Sequence, residues 1–431
     1  MDESAERHGG TVADPITVTD AGPAPVRPTW RGGFGLLCSA AVLSRFGDAL
    51  RSAALPLLAV SLTDSPLLVS LVTACGFLPW LVFGLLGGAV ADRVDQRRAM
   101  WAVDILRGLL MAGFSVAVLL GHATIALLLG LAFTLTTLQT LFDNAATALL
   151  PCVVPDSALP TANARLMTGQ QIAGSFVAAP LVPALLVLGI AAPFGVNAVT
   201  YLLAALLVAG VRVERVLREP RAAGATLRRD IAEGLRTLWR DRMLRVLCAS
   251  EVFCNIGVGA LIATLVLHVT GWLDAGETGY AAVITAYGVG SVVGGLVAGR
   301  LARLLGAPLT LMLGGALQVV CLVVLGLARS LPVAMAAMAA FGFVGMVWNV
   351  IHVTLMQQRS PLGMLGRVSS AFRTVSVGVT PLGALLGGVV ATAWGLNAPA
   401  LLAAALFLLG VVSLVPAVRR PEVGGTPSTA A

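Results

Sequence analysis

The sequence predicts an all-α membrane protein in which twelve transmembrane helices form two pseudo-symmetric bundles of six. Of its 431 residues, 58% are hydrophobic and only 11% are charged, whereas soluble domains carry about 25% charged residues. Twelve apolar runs reach the length of about 20 residues that a helix needs to cross a bilayer. One long polar segment divides these runs into two sets of six, which predicts the two bundles.

The twelve predicted spans are numbered in chain order and are bounded by short clusters of Gly, Pro, Asp or Arg. Spans 1 to 6 cover residues 33–62, 66–91, 98–121, 123–150, 161–188 and 190–211. Spans 7 to 12 cover residues 243–270, 276–301, 307–328, 331–357, 367–394 and 396–417. The predicted domains are a disordered tail (1–32), a first bundle (33–211), a linker (212–242), a second bundle (243–417) and a second tail (418–431).

The basic residues are concentrated on one side of the predicted membrane. The loops of that side carry Arg93, Arg97, Arg98, Arg300, Arg303 and Arg359, and the linker and both tails add further arginines. The loops of the other side carry only Arg329. Because loops rich in Lys and Arg stay in the cytoplasm, both termini are predicted to be cytoplasmic. The net charge of +7 is thereby explained without a nucleic-acid partner.

The linker contains the amphipathic stretch TLRRDIAEGLRTLWRD, which predicts a helix. Leu227, Ile231, Leu235 and Leu238 fall near one helical face, and arginines surround them on the others. Such a helix can lie on the anionic cytoplasmic leaflet, or it can serve as a solvated connector. The pattern leaves both interpretations open.

The two sets of spans share an internal repeat. GGAVADR at 87–93 returns as GGLVAGR at 294–300, and the same offset of 207 residues carries FGD at 46–48 onto FCN at 253–255. Both pairs occupy corresponding places in the two sets. Parallel repeats of six spans are typical of transporters.

On these motifs, the chain resembles the major facilitator superfamily over residues 33–417. The residues that match the family motif after span 2 are Gly88, Asp92, Arg93, Arg97 and Arg98. Asp95 stands where the family has a glycine. The resemblance implies the major facilitator fold, with two six-helix bundles around a central cavity.

Within the superfamily, the chain is most similar to the secretion-effector branch, which contains siderophore, macrolide and tetracycline exporters. The similarity rests on SRFGDALRSAALPLLAVSLTDSP in span 1, LFDNAATALLPCVVP ending span 4, ANARLMTGQQIAG entering span 5 and GRVSSAFRTVSVGVTPLGALLGG in span 11. It implies a secondary active exporter of small amphipathic molecules, with proton antiport and alternating access, in the bacterial inner membrane. The antiporter motif of span 5 is degenerate, because no glycine pair follows Ala179 and Pro180.

The charged loop after span 2 has two interpretations. As a gate, Gly88 would allow close helix approach, Asp92 would face the positive N-terminus of a helix, and Arg97 would pair with Asp143 or Asp104. Alternatively, the loop serves only to keep this side of the protein in the cytoplasm through its positive charge. That role would need its arginines but not Asp92 or the glycine. The predicted gating residues are Gly88, Asp92, Arg93, Arg97, Arg98 and Asp143.

Charged residues inside span 1 indicate a polar cavity. Arg45, Asp48 and Arg51 follow one another at three-residue spacing and share one broad face, although each intramembrane charge costs roughly 2.5–3.5 kcal/mol. They either line a cavity suited to an anionic substrate or form a self-neutralised cluster between spans. Further cavity candidates are Arg107, Gln139, Gln170, Gln171, Asn255, Trp348, Asn349, His352 and Arg373.

Proton antiport requires a carboxyl group that lies in the cavity and can take up a proton there. Only Asp48 and Glu251 lie well inside apolar spans and away from the loop motifs. Arg45 and Arg51 flank Asp48 and favour its charged form, whereas Glu251 has no such pair of neighbours. Glu251 is therefore predicted to carry the proton, and Asp48 to shape the charge of the cavity.

No motif of a soluble enzyme is found in the sequence. It contains no GxxxxGKS/T loop, no HExxH or GxSxG motif and no Cys/His metal spacing. We therefore expect a monomeric transporter without catalytic activity, metal or cofactor, whose partners are a small-molecule substrate, protons and membrane lipids. Two alternatives stay open: an importer or symporter of a small nutrient, and a non-transporting sensor on the same fold.

Overall fold

The computed structural model describes residues 32–83, 95–155, 158–211, 227–359 and 365–419. Within these ranges all regular structure is helical and no strand occurs, which confirms the all-α prediction. Ten of the described helices are long and apolar enough to cross a membrane. The other two predicted spans correspond to the shorter helix of span 2 and the interrupted helix of span 5.

Each predicted span coincides with one helix or with a run of consecutive helices. Spans 1 to 4 are the helices Gly33–Leu62, Pro66–Phe83, Gln96–Leu119 and Ile125–Leu149. Span 5 consists of the helix Leu159–Gln171, the π-helix Ile172–Ala178 and the helix Ala179–Leu188, and span 6 is Ala192–Ala209. Span 7 consists of the helix Arg242–Leu267 and the π-helix His268–Trp272. Spans 8 to 10 are Gly276–Leu305, Ala307–Leu327 and Leu331–Arg359. Span 11 consists of the helices Leu365–Val377 and Thr380–Trp394, and span 12 is Ala398–Arg419. The short turn Leu150–Cys152 follows span 4, and the linker helix is Leu227–Arg240.

Aspartates start two of the spans by capping their first turns. Asp95 accepts a hydrogen bond from the backbone N–H of Arg98 (3.1 Å), and Asp241 accepts one from the backbone N–H of Leu244 (2.8 Å). A cap of this kind satisfies an N–H group that the first helical turn leaves unpaired. Asp95, which replaces the glycine of the family motif, therefore has a local role as the N-cap of span 3.

The helices pack mainly within each set of six. In the first set, span 6 packs against spans 1 and 3, and span 4 packs against spans 2 and 3. In the second set, span 8 packs against span 10, span 7 against spans 11 and 12, and span 9 against spans 10 and 12. The principal contacts between the sets join span 2 to spans 7 and 11 and span 5 to span 8. These contacts support the predicted division into two bundles.

The start of span 1 and the end of span 12 lie at one face of the protein, here called the termini face. The two bundles meet near the opposite face, called the distal face. Gly388, in the second helix of span 11, lies directly against the side chain of Ser70 and the backbone of Leu67 in span 2. The distal part of span 5, Ala179–Leu188, contacts span 8. The absence of a side chain at Gly388 allows this close approach, so the bundles are closed against each other at the distal face.

The linker helix packs onto the termini-face ends of spans 7 and 11. Leu238 has no exposed surface and joins a buried cluster that includes Leu244, Cys248 and Phe372. Trp239 on the outer side is 55% exposed. The interpretation as a purely solvated connector is therefore wrong for the end of this helix, because Leu238 on its apolar face is buried against the bundle. The side chains of residues 227–231 lie outside the described part.

Gly290→Ala is expected to destabilise the second bundle, because a β-carbon at Gly290 in span 8 would overlap the backbone carbonyl of Ala339 in span 10. Overpacking of this kind typically costs about 1–3 kcal/mol. The thermal unfolding temperature of the purified protein should fall. The matched control is Gly130→Ala in span 4, where the new β-carbon would meet no atom within 4 Å. Equal unfolding temperatures for the two variants would contradict the close packing of spans 8 and 10.

Candidate functional site

A cavity of about 360 Å³ lies between the two bundles, midway along the spans. Spans 1, 4 and 5 form one wall, called the polar wall, with Arg45, Asp48, Ser52, Gln139, Gln170 and Gln171. Spans 7, 8 and 10 form the facing wall, called the apolar wall, with Ile262, Leu265, Tyr280, Tyr287, Met338 and Phe341 among its residues. The cavity is thus amphipathic, with polar groups from the first bundle and apolar groups from the second.

Five residues selected from the sequence lie on the polar wall: Arg45, Asp48, Gln139, Gln170 and Gln171. The apolar wall was not predicted residue by residue. Its tyrosines, Phe341 and aliphatic side chains are common in any membrane span, so no local pattern distinguishes those that face the cavity from those that face lipid.

A buried ionic cluster lies behind the polar wall and joins spans 1, 3 and 6. Arg107 has no exposed surface, and its Nη2 atom lies 2.6 Å from Asp48 Oδ1 while its Nη1 atom lies 3.1 Å from Asp104 Oδ1. The hydroxyl of Tyr201 donates to the same Asp48 oxygen, and Arg107 Nη1 also contacts the hydroxyl of Ser44 (3.0 Å). Two acids and three spans are therefore held by one guanidinium.

The structure differs from the prediction for Arg107 and Arg51. Neither lines the cavity: Arg107 is enclosed by the ionic cluster, and Arg51 is 6% exposed, with its Nη2 atom 3.6 Å from Asp48 Oδ1. The interpretation as a self-neutralised cluster therefore describes Arg51 and Asp48, whereas Arg45 faces the cavity. Asp104 and Tyr201 were missed as members, although the spacing of Asp104 and Arg107 on one helical face was a signal.

A second polar cluster joins spans 7 and 10 in the second bundle. Glu251 Oε1 accepts a hydrogen bond from the indole N–H of Trp348 (3.0 Å), and Oε2 accepts one from the side-chain amide of Asn255 (3.1 Å). The Nδ1 atom of His352 lies 3.7 Å from Glu251 Oε1, and the ring of His352 packs on Phe372 at 4.6 Å between centroids. Four candidates that are up to 101 positions apart in the chain (251 to 352) are thus brought together.

The remaining cavity candidates lie elsewhere. Asn349 is exposed and is not part of the Glu251 cluster, because it projects from a different side of span 10 than Trp348 and His352. Arg373 in span 11 lies over the ring of Trp80 in span 2, with its Cζ atom 5.1 Å from the ring centroid. This contact links the two bundles on the termini side of the cavity. Asp143 is half-buried one turn from Gln139, on the termini side.

The predicted gating residues are described only in part. Gly88, Asp92 and Arg93 lie outside the described residues. Arg97 does not meet Asp143 or Asp104 as predicted; it donates to the backbone carbonyls of Val208 (3.4 Å) and Ala209. A cation at these carbonyls is favoured because they form the negative C-terminal end of span 6. Arg98 is exposed and its Nε atom lies 3.7 Å from the carboxylate of its neighbour Asp95.

Comparison with known proteins gives the family of the chain. The sequence profile of the transmembrane secretion effector family matches residues 23–429. The chain belongs to this family. It is 27% identical over 424 residues to the multidrug efflux pump Tap of Mycolicibacterium fortuitum, covering 93% of this chain and 99% of that pump.

Two further proteins match most of the length of this chain, one in sequence and one in structure. The chain is 22% identical over 392 residues to macrolide efflux protein A of Streptococcus pyogenes, covering 85% of this chain and 91% of that protein. Among solved structures, the nucleoside transporter NupG superimposes with a TM-score of 0.73 at 10% identity, covering 88% of this chain and 99% of NupG. The similarity to NupG confirms the major facilitator fold. The family match over residues 23–429 and the ten candidate spans among the described residues show that the chain is a multi-pass membrane protein.

Arg107→Met is expected to prevent stable folding, because Asp48 and Asp104 would stay buried without their cation. Breaking a buried ion pair in this way costs about 3–5 kcal/mol. Membrane abundance and the thermal unfolding temperature should both fall. Arg98→Met, at an exposed arginine on the same span, is the matched control and should leave both unchanged. A normal unfolding temperature for Arg107→Met would mean that the cluster does not stabilise the first bundle.

Arg97→Ala and Asp143→Asn are expected to have additive effects on thermal stability, because Arg97 binds the end of span 6 and not Asp143. Effects of residues that share no partner add within about 0.3–0.5 kcal/mol. The measurement is a double-mutant cycle on the free energy of unfolding of the purified protein. A coupling energy above about 1 kcal/mol would instead support the ion pair predicted from the sequence.

Proposed function

We propose that this protein is a secondary active exporter of small amphipathic molecules, which works by alternating access in antiport with protons. The observation that carries the proposal is the cavity between the bundles, with one polar and one apolar wall. A site of this kind can hold a molecule that has both a polar and an apolar side. The relatives are named as a multidrug efflux pump and a macrolide efflux protein, which supports export over nutrient uptake.

The packing of the bundles supports alternating access. Spans 2 and 11 are in close contact at the distal face, where Gly388 lies against Ser70. On the termini side Arg45 is exposed, and Arg373 is exposed although its guanidinium contacts the ring of Trp80. The arginine-rich loops favour a cytoplasmic location of the termini face. The structure then corresponds to a state whose cavity opens towards the cytoplasm, in which an exporter would take up its substrate.

The proposed gate at the termini face comprises the loop after span 2 and the helix ends around it. The sequence predicts that Gly88, Asp92 and Arg93 form the loop of this gate. Arg98 lies in the first turn of span 3, and Arg97 anchors the start of span 3 to the end of span 6. Closing the termini face would bring the bundles together here and release them at the distal face. Asp143 lies on the same side of the cavity as this gate.

Glu251 is the residue that we propose to carry the proton. Its two hydrogen-bond donors, Trp348 and Asn255, are neutral side chains, and its third neighbour, His352, can lose a proton of its own. Protonation of Glu251 therefore leaves no permanently charged buried cation without a partner. Asp48 differs, because protonating it would weaken its ion pairs with Arg107 and Arg51. An uncompensated buried charge is strongly destabilising, so Asp48 is suited to a permanently charged role in the cavity.

Glu251→Gln is expected to abolish gradient-driven efflux while preserving substrate binding, because Gln keeps the shape of Glu251 but cannot exchange a proton. The measurement is macrolide uptake into energised everted membrane vesicles, with and without a proton uncoupler, together with binding to the purified protein. Wild-type uptake should stop when the uncoupler is added. Glu277→Gln, at an exposed acid of the distal face, should behave as the wild type.

Two results would contradict the proposal. Uptake by the wild type that is insensitive to the uncoupler would reject proton antiport. Normal, pH-dependent uptake by Glu251→Gln would remove Glu251 as the proton carrier and leave Asp48 as the alternative. For Asp48→Asn we expect reduced folding or binding, because the change weakens the contacts of Arg107.

A further inference from the structure

Two opposite charges stand one helical turn apart on the polar wall. Arg45 and Asp48 are three positions apart on span 1, and both line the cavity. Residues at this spacing have side chains about 5–6 Å apart at their β-carbons and would ordinarily pair with each other. They do not form an ion pair here, because the described contacts of Asp48 go to Arg51, Arg107 and Tyr201.

The contacts of Asp48 leave one of its oxygens for the cavity. Arg107, Tyr201 and Arg51 all approach the same atom, Oδ1. Among the described residues, no donor reaches Oδ2. Asp48 is only 4% exposed, so it is held rigidly by its buried side and reaches the cavity with one edge of the carboxylate. Through that edge its second oxygen can accept a hydrogen bond from a bound molecule. A group oriented in this way binds a ligand without a further loss of side-chain freedom.

Arg45 provides the complementary donor. Its side chain is exposed in the cavity, and within the described part of the chain it forms no ion pair with a carboxylate. Asp143 is within electrostatic range of Arg45 but lies one turn further towards the termini face. The guanidinium can therefore meet an anionic group of a molecule that occupies the cavity, and an arginine suits a carboxylate or a phosphate because it offers paired donors.

The formal charges that line the cavity balance. Among the described residues that form its walls, the charged ones are Arg45 and Asp48, so their sum is zero. A ligand with a net charge would leave one charge uncompensated beside the apolar wall, which is costly. A ligand with separated charges and no net charge would match Arg45 and Asp48 at the same time.

We propose that the cavity selects zwitterionic amphiphiles, in which an anionic and a cationic group lie close together at one end of an apolar body. The anionic group pairs with Arg45, the cationic group pairs with Asp48 Oδ2, and the apolar body packs on Tyr280, Phe341 and Met338 of the apolar wall. This inference rests on the proposed function, since it names the class of molecule that the exporter would bind in its cavity.

The test compares three probes that share a naphthyl body: 3-(2-naphthyl)alanine (zwitterion), 2-(2-naphthyl)ethylamine (cation) and 3-(2-naphthyl)propionate (anion). Binding to the full chain in lipid nanodiscs is measured by calorimetry at pH 7. The zwitterion should bind at least tenfold tighter than either singly charged probe. Arg45→Gln should abolish the preference for the zwitterion over the amine, because the carboxylate of the probe loses its partner and the amine loses a repulsive neighbour. Arg303→Gln, far from the cavity, should keep the preference.

The outcomes separate this inference from the proposed function. Equal affinities, a preference for the cation or the anion, or binding of none of the three probes would overturn the inference, as would a preserved zwitterion preference in Arg45→Gln. Uncoupler-sensitive efflux alongside any of these results would leave the exporter function standing. A clear zwitterion preference with uncoupler-insensitive uptake would instead reject proton antiport and keep the assignment of the ligand class.

Discussion

The ion pair between Arg107 and Asp48 is the interaction on which the polar side of the cavity depends. It joins span 3 to span 1, and Tyr201 brings span 6 to the same carboxylate oxygen. An arginine without exposed surface persists inside a membrane only when acids neutralise it, and Asp48 and Asp104 do so. Because Asp48 is directed towards Arg107, it does not pair with Arg45, which stays at the cavity surface.

The two bundles share a sequence repeat but use their buried acids differently. The offset of 207 residues places Asp48 onto Asn255 and Ser44 onto Glu251. In the first bundle, arginines neutralise the acid, whereas in the second bundle Glu251 accepts hydrogen bonds from neutral donors. The proposed antiport needs this asymmetry, because one acid has to stay charged beside the substrate while the other gains and loses a proton.

Spans 5 and 11, which both contact the facing bundle, are interrupted, and the interruption of span 5 lies beside the cavity. Span 5 changes to a π-helix at Ile172–Ala178, and span 11 is interrupted between Val377 and Thr380. Such π-helical segments occur frequently at functional positions, and Gly174 within this one lines the cavity. The sequence departs from the family's antiporter motif directly after it, at Ala179. The π-helical segment and the helix after it contact spans 1 and 8.

The sequence by itself determined the membrane class, the approximate bounds of the spans and their grouping around a polar linker, because an apolar run of sufficient length crosses a bilayer whatever its neighbours are. It also selected Arg45 and Asp48 as cavity residues, since charge inside a span needs a polar environment. Only the tertiary structure decided that Arg107 is enclosed behind that wall, that Arg97 binds the end of span 6, and that Glu251 meets its partners from span 10. These positions depend on how each helix is rotated about its axis, and that rotation is set by contacts with helices distant in sequence, which no local pattern of residues specifies.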